Sequence, residues 1–474
     1  MQNNLILLAD AYKYSHHKLY TPGTQKVYSY LESRGGMFDE TAFFGLQYIL
    51  KKYLQGAVIT KEKIEEAAYY LNSIFGRDDV FAPGNFEYIV KNYGGRLPVT
   101  IKAVAEGTRI PVHNVLMTIE NNDPHCYWLT NFLETLLMQV WYPTTVATLS
   151  AKIKEAVSMY YKETASDESW AGIDFVLNDF GFRGVSSVES AGIGGMAHLL
   201  SFKGSDTVIA NVFAKEFYNA AAVPGASVPA TEHSVMTMRG EVGEIEMFKH
   251  VLQTYPTGIV ACVSDSYNIF RACADYWGSE LKDIVLNRKG TLVIRPDSGD
   301  PGQTLLSVFD ILFEKFGYTI NEKGYRVLPP QVRVIQGDGV DYRSILHIYQ
   351  VLKINGVSAE NLVLGMGGAL LQKVDRDTQK FALKCSYAEI NGAPVDVRKN
   401  PVELNAQGEI EPSFKQSKAG RLKLVKNNGL YQTLREDESA GLADELVTVF
   451  ENGEIIKEYG WEEVRGRIND NINH

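Results

Sequence analysis

From about residue 173 the chain repeats one pattern that leaves few folds open to it. Short apolar runs recur at 173–177, 259–263, 292–294, 332–335 and 362–364, and each ends in a polar or glycine-rich turn: NDFGFRG, SDS, RPDSG, QGDG and GMGG. Amphipathic segments follow most of them, such as 303–316 and 342–354. Buried strands alternating with helices make a parallel sheet, and about 210 residues of this pattern suit a (β/α) barrel of near-typical size. The polar turns then lie at the carboxyl ends of the strands, where barrels and open α/β sheets build their sites.

The flanking sequence reads differently. Residues 60–75 have helical periodicity, 97–104 and 112–119 read as strands about Pro111, and 127–142 crowds aromatic and long apolar residues into a buried or interface helix. After about residue 385 the alternation stops, and Asn391-Gly392, Asn427-Asn428-Gly429 and Asn452-Gly453 mark hairpin turns. The expected architecture is α/β: a barrel over 150–384, and a β-rich α+β domain formed by 1–149 together with 385–474.

Composition narrows the function. Lys and Arg number 47 against 57 Asp and Glu, a net charge of −10. A nucleic-acid binder gains affinity by neutralising phosphates with a basic excess, so that class is disfavoured, while the charge is compatible with a small basic pocket for a phosphorylated metabolite. No apolar run reaches the ~18 residues of a membrane span, and the N-terminus lacks the pattern of a signal peptide, which predicts a cytoplasmic protein. Cys126, Cys262, Cys273 and Cys385 match neither zinc nor CxxC spacing and read as reduced thiols.

Several residues sit where chemistry is expected. Gly337 and Asp338 in QGDG, with Gly367 and Gly368 in GMGG, end the last two clear strands, and glycine lets backbone N–H groups approach a phosphate closely. Arg295 and Asp297 in RPDSG project to the same side of a strand, and carboxylates there suit sugar hydroxyls or Mg²⁺. His233, in SVPATEHS, lies off any core stripe and can act as base, metal ligand or phosphate acceptor, with Asp265 as its acidic partner. Phe180 can stack on a flat ring, and Arg183 can reach an oxygen or a ring face.

Longer stretches carry a resemblance. LADAYKYSHHKLY, YSYLESRG, DFGFRGVSS, FKGSDT, SVPATEHS, SDSYNIF, IRPDSGDP, VIQGDGVD, GMGGALLQKVDRD and KCSYAEING resemble, in order, the nicotinamide phosphoribosyltransferase family, over about residues 5–465. The resemblance implies a type II phosphoribosyltransferase fold, an irregular (β/α) barrel plus a β-rich domain, and a head-to-tail homodimer with shared active sites. It implies transfer of phosphoribosyl from phosphoribosyl pyrophosphate to nicotinamide, with Mg²⁺ and with ATP hydrolysed through a phosphohistidine. It further implies that Phe180 and a partner's Tyr12, next to Asp10, sandwich the pyridine ring and that Asp206 accepts from the carboxamide. Arg183 contacts the ring environment and the amide or phosphates. Arg295 and Asp297 hold ribose and pyrophosphate, Asp297 also lying near Mg²⁺. Gly337, Asp338, Gly367 and Gly368 cradle ribose and 5′-phosphate, which Arg376 and Lys384 reach from across the dimer. Arg34, Lys399 and Lys415 line the pyrophosphate and ATP phosphate channel, and His233 is phosphorylated with Asp265 orienting it through Nδ1–H.

The chain departs from the family pattern at Asn178 (His in vertebrate members), at Phe182 (Tyr), at Ala382, where a phosphate-contacting Ser is usual, and in a longer loop over 401–418. Nicotinate phosphoribosyltransferase is the alternative on the same fold. A carboxylate substrate would be repelled by Asp206.

Overall fold

Asn391-Gly392, Asn428-Gly429 and Asn452-Gly453 all have positive φ, the geometry of two-residue hairpin turns, and each joins an antiparallel strand pair. Two of these hairpins belong to one seven-stranded antiparallel sheet. Its order is Ala393–Asp396, Phe381–Ile390, Thr24–Ser33, Val115–Asn121, Val99–Ala103, Val447–Glu451 and Glu454–Ile455. N- and C-terminal segments thus share a sheet. The computed structural model describes residues 4–297, 299, 301–404, 408–412 and 417–470, and they divide into two units. The first holds this sheet and comprises residues up to 148, 217–219 and 375–468; the second comprises 149–216, 220–374 and the chain end from 469.

The division falls at 374/375 and not at the expected 384/385. A cut at 385 would sever Phe381–Ile390, which pairs with Thr24–Ser33 from Ser33↔Phe381 to Thr24↔Ile390. Residues 217–219 join the first unit through a buried carboxylate. Glu106 accepts from the Tyr218 hydroxyl at 2.6 Å and from the backbone N–H groups of Gly45 and Gln47 at 2.9 and 2.6 Å. Nothing in the sequence pattern marks that tie.

Also in the first unit, the helix Lys61–Phe75 starts where the Thr60 hydroxyl accepts from Lys63 N–H, and it buries Ile64, Ala67 and Leu71. The single helix expected over 127–142 is broken. Short turns at Leu129–Phe132, Glu134–Leu137 and Met138–Val140 precede a long helix, Trp141–Thr164. Pro143 lies in that helix's first turn, where proline's missing N–H costs nothing.

The second unit is built on six parallel strands. They are β1 (Leu177–Asp179), β2 (Gly204–Ser205), β3 (Val260–Val263), β4 (Leu292–Arg295), β5 (Val332–Gln336) and β6 (Leu362–Met366), in the order β2-β1-β6-β5-β4-β3. Residues 226–230 bridge the two edges. Ala226 N–H donates to Lys203 O at 2.7 Å beside β2, and Ala261 N–H in β3 donates to Pro229 O at 2.9 Å. The curled sheet is therefore closed by an irregular stave, and that stave leads directly into His233.

Inside the curl, Ala261, Val293 and Ile335 form a buried apolar floor, with Val363 and Phe180 packed on it. Alternate residues point the other way. Helix α1 (Pro301–Phe316) buries Leu305, Val308, Phe309 and Leu312, and α2 (Tyr342–Ile354) is started by a capping box at Asp341 and Ser344. One strand differs from expectation. Residues 167–175 wind as a 3₁₀ helix, and β1 begins only at Leu177. Ile173 is buried in that helix, which gives the stretch the apolar density of a strand. No helix among the described residues is long and apolar enough to cross a membrane.

Candidate active site

The carboxyl ends of the strands in the second unit bring one chain of polar contacts together. The stave delivers His233, whose Nε2 lies 3.0 Å from Asp265 Oδ1 just beyond β3. The expectation was that Nδ1 would face Asp265. The ring is turned the other way, so Nδ1 is the nitrogen left to meet a ligand. The His233 side chain is 47% exposed while that of Asp265 is 4% exposed, so the partner is fixed and the imidazole is reachable. Asp265 Oδ2 accepts the Asp297 N–H at 3.0 Å, and Asp297 Oδ1 accepts from Arg295 Nη2 at 2.9 Å. His233, Asp265, Asp297 and Arg295 thus form a continuous relay across the ends of β3 and β4.

Arg295 connects this relay to the ring platform. Its guanidinium carbon lies 5.4 Å from the Phe180 ring centroid, a cation–π distance. Two glycines make room for the pair. A Cβ on Gly365 would meet the Phe180 ring at 2.0 Å, and one on Gly337 would meet the Arg295 guanidinium at 3.2 Å. The GMGG and QGDG turns therefore serve packing as well as any phosphate contact. Gln336 Nε2 donates to Asp338 O at 2.8 Å and sets the QGDG turn, leaving Asp338 exposed. A Cβ on Gly368 would meet nothing within 4 Å, so the GMGG backbone is open to a ligand. Arg183 is exposed on the turn after Phe180.

Asp206 stands on the turn after β2. Its N–H donates to Asp179 O at 2.9 Å, and its Oδ1 accepts from the Ser227 hydroxyl, a stave residue that sequence reasoning passed over. Asp179 precedes Phe180 and is fully buried. Burial, then the neighbouring Asp206 charge, pushes its carboxyl up to about 6.

In the first unit, Arg34, Arg376, Lys384 and Lys399 line one cavity of about 440 Å³, together with Lys380, Glu134 and Asp377. Five cations line it against two carboxylates, an excess of positive charge that favours an anion. Burial first, and the nearby Lys399, Arg34 and Lys13 charges next, lower the Lys384 pKa against the upward pull of Glu134. Lys380 carried no signal in the sequence reading. Ala382 also lines the cavity. Tyr12 is exposed, with Lys13 Nζ 5.4 Å from its ring centroid, and Asp10 Oδ2 accepts from Thr135 Oγ1 at 2.8 Å. Lys415 lies outside the described residues.

Two chemistries can be weighed here. Burial pushes the Cys126, Cys262 and Cys273 thiols up to about 12, which disfavours a thiolate nucleophile at neutral pH. Among the described residues no three His, Cys, Asp or Glu side chains group as a metal site. Mg²⁺ commonly takes one or two carboxylates and fills its shell with water and substrate phosphate. Asp297 fits that role, since Oδ2 makes no hydrogen bond among the described residues while Oδ1 holds Arg295.

Comparison with known proteins gives the fold and the family. The fold is that of the type II phosphoribosyltransferases. A nicotinate-nucleotide pyrophosphorylase from Pyrococcus furiosus superposes with a TM-score of 0.61 at 16% identity, covering 100% of this chain and 97% of that one. The human nicotinic acid phosphoribosyltransferase gives 0.57 at 16%, covering 98% and 94%. The nicotinate phosphoribosyltransferase (NAPRTase) family model matches residues 175–453, and the nicotinamide phosphoribosyltransferase N-terminal domain matches 4–101. A nicotinamide phosphoribosyltransferase of Xanthomonas campestris pv. campestris is 46% identical over 471 residues, covering 98% of this chain and 97% of its own. One from Acinetobacter baylyi is 32% identical, covering 97% and 96%. The chain belongs to the nicotinamide phosphoribosyltransferase family.

Proposed function

We propose that the protein transfers the phosphoribosyl group of phosphoribosyl pyrophosphate to nicotinamide in NAD salvage, forming nicotinamide mononucleotide and pyrophosphate. The observation that carries this reading is an exposed carboxylate, Asp206, hydrogen-bonded through its backbone to the residue that precedes the ring platform Phe180. An anionic acceptor there receives a carboxamide N–H and repels the carboxylate of nicotinate.

The pyridine nitrogen is itself the nucleophile at ribose C1, so the site needs no strong base. As the C1–O bond to pyrophosphate lengthens, charge grows on the leaving group. Arg295 meets it, and Asp297 holds Arg295 in place. Bound Mg²⁺ would neutralise further charge on the pyrophosphate, with Asp297 as its protein ligand. In a homodimer, a partner chain supplies Tyr12 to the second face of the ring. Its cavity of Arg34, Arg376, Lys384 and Lys399 takes the phosphates. ATP couples through His233: the Nδ1 lone pair attacks the γ-phosphorus, the bond to the bridging oxygen breaks, and ADP leaves. Asp265 orients the ring and stabilises its positive charge. A cytoplasmic location is part of the same reading.

Asp206→Asn tests the substrate assignment. Exchanging a charged acceptor for a neutral one gives up about 1–1.5 kcal/mol, which should lower kcat/KM for nicotinamide by about five- to tenfold, and should raise the use of nicotinate. Steady-state competition between the two bases measures both. An unchanged preference would remove Asp206 from the specificity argument.

A further inference from the structure

Resting on the nicotinamide reading above, we infer that Asp179 is a positioning residue for the base pocket, fixing Phe180 and Asp206 from beneath. It touches both sides without facing a ligand. Its side-chain Oδ1 accepts the Gly181 N–H at 2.7 Å and so holds the turn that carries Phe180. Its backbone oxygen accepts the Asp206 N–H at 2.9 Å. Its Oδ2 reaches the Ser205 hydroxyl at 3.5 Å, and that hydroxyl in turn accepts the Thr207 N–H at 3.0 Å. One buried residue therefore sets the backbone on either side of the amide-recognising carboxylate and next to the ring platform.

The packing around it leaves the carboxylate little alternative. A Cβ on Gly181 would come within 3.0 Å of Oδ1, and one on Gly195, in the helix Val188–His198, within 3.1 Å of Oδ2. On the β6 side the Met366 carbonyl is taken by the Phe180 N–H at 3.0 Å. The charged group facing Asp179 is Asp206, on the turn after β2; the helix presents Gly195, and β6 presents Met366. Two carboxylates on adjacent turns, one buried and one exposed, repel each other when both are ionised. The protein retains a group that is costly to ionise where an amide would fill the space.

The ionised form is the one that holds Gly181 most firmly, because a hydrogen bond to a charged acceptor is stronger than one to a neutral carboxyl. With its pKa raised to about 6, Asp179 is charged above that pH and neutral below it. Its raised pKa means that ionisation costs stability as pH rises from its unfolded value of about 4 through 6. Neutralising the side chain should thus favour the fold and disfavour nicotinamide binding, a pairing that a purely structural aspartate does not give.

The test compares KM for nicotinamide, KM for phosphoribosyl pyrophosphate, and melting temperature in the full-length protein, from about pH 5 to about pH 8. In the unmutated protein, KM for nicotinamide should climb as pH falls through about 6. Asp179→Asn should raise it about threefold at neutral pH, the difference between a charged and a neutral acceptor. It should also flatten that climb and melt no lower than the unmutated protein at pH 8. Asp179→Ala should raise it about tenfold or more, with KM for phosphoribosyl pyrophosphate within about twofold in both variants. A parallel rise in both KM values, or a pH profile unchanged in Asp179→Asn, would overturn the assignment. Should Asp179→Ala fail to fold, the Asn variant decides alone. If the unmutated protein forms nicotinate mononucleotide, the substrate reading fails before any variant is compared, so the two failures are distinct.

Discussion

Replacing His233 by alanine is expected to abolish ATP hydrolysis and its stimulation of transfer, while a basal transfer remains. The two parts separate because the residues do. Phe180, Asp206 and the glycine turns that would hold base and ribose take no side-chain hydrogen bond from His233, whose ring contact runs to Asp265. A histidine that bound substrate directly would raise KM for one of the two substrates when lost. A covalent nucleophile instead takes the whole ATP half-reaction with it, a fall of about a thousandfold or more in ATPase. Asp265→Asn should act in the same direction but less completely, through an imidazole that is misoriented and whose positive charge is less well stabilised. Because Nε2 is engaged by Asp265, γ-labelled ATP should leave an acid-labile label on Nδ1. Label that persists in His233→Ala would place the nucleophile elsewhere.

The second large effect is complementation. In the proposed homodimer each active site takes Asp206 from one chain and Tyr12 from the other. Tyr12→Ala and Asp206→Ala should then each be nearly inactive alone. Mixed in equal amounts and allowed to exchange, half of the dimers are hybrids, and each hybrid has one site with both residues intact. Recovery of about a quarter of the unmutated activity is expected from this two-fold arrangement. An equal mixture no more active than its components, under conditions where subunit exchange is demonstrated, would contradict the shared site. The exposed Tyr12 ring and the cationic cavity of Arg34, Arg376, Lys384 and Lys399 are the features such a partner would contribute.

What could be read ahead of the structure followed local chemistry. The three Asn-Gly turns were legible because αL backbone at two successive residues is a requirement few other pairs meet. The helices Lys61–Phe75 and Tyr342–Ile354 were legible from their periodicity, and the strand-end motifs placed Asp265, Arg295 and Asp297 near one another, with His233 singled out from the SVPATEHS turn as the partner of Asp265. What was not legible depends on long-range contact. The apolar 173–177 run is a strand only from Leu177 onward, because burial of Ile173 looks the same in a 3₁₀ helix. The division at 375 is set by pairing with Thr24–Ser33, some 350 residues away in sequence. The His233 ring orientation, the Ser227 contact to Asp206 and the buried position of Asp179 are properties of the assembled sheet. A single residue type in a motif does not encode them.

The most direct measurement offers the protein equal nicotinamide and nicotinate with phosphoribosyl pyrophosphate and Mg²⁺, with and without ATP, and separates the mononucleotide products. Asp206 beside the Phe180 platform predicts nicotinamide mononucleotide with an equal amount of pyrophosphate, and more of it when ATP is present. Nicotinate mononucleotide as the main product would contradict that central claim.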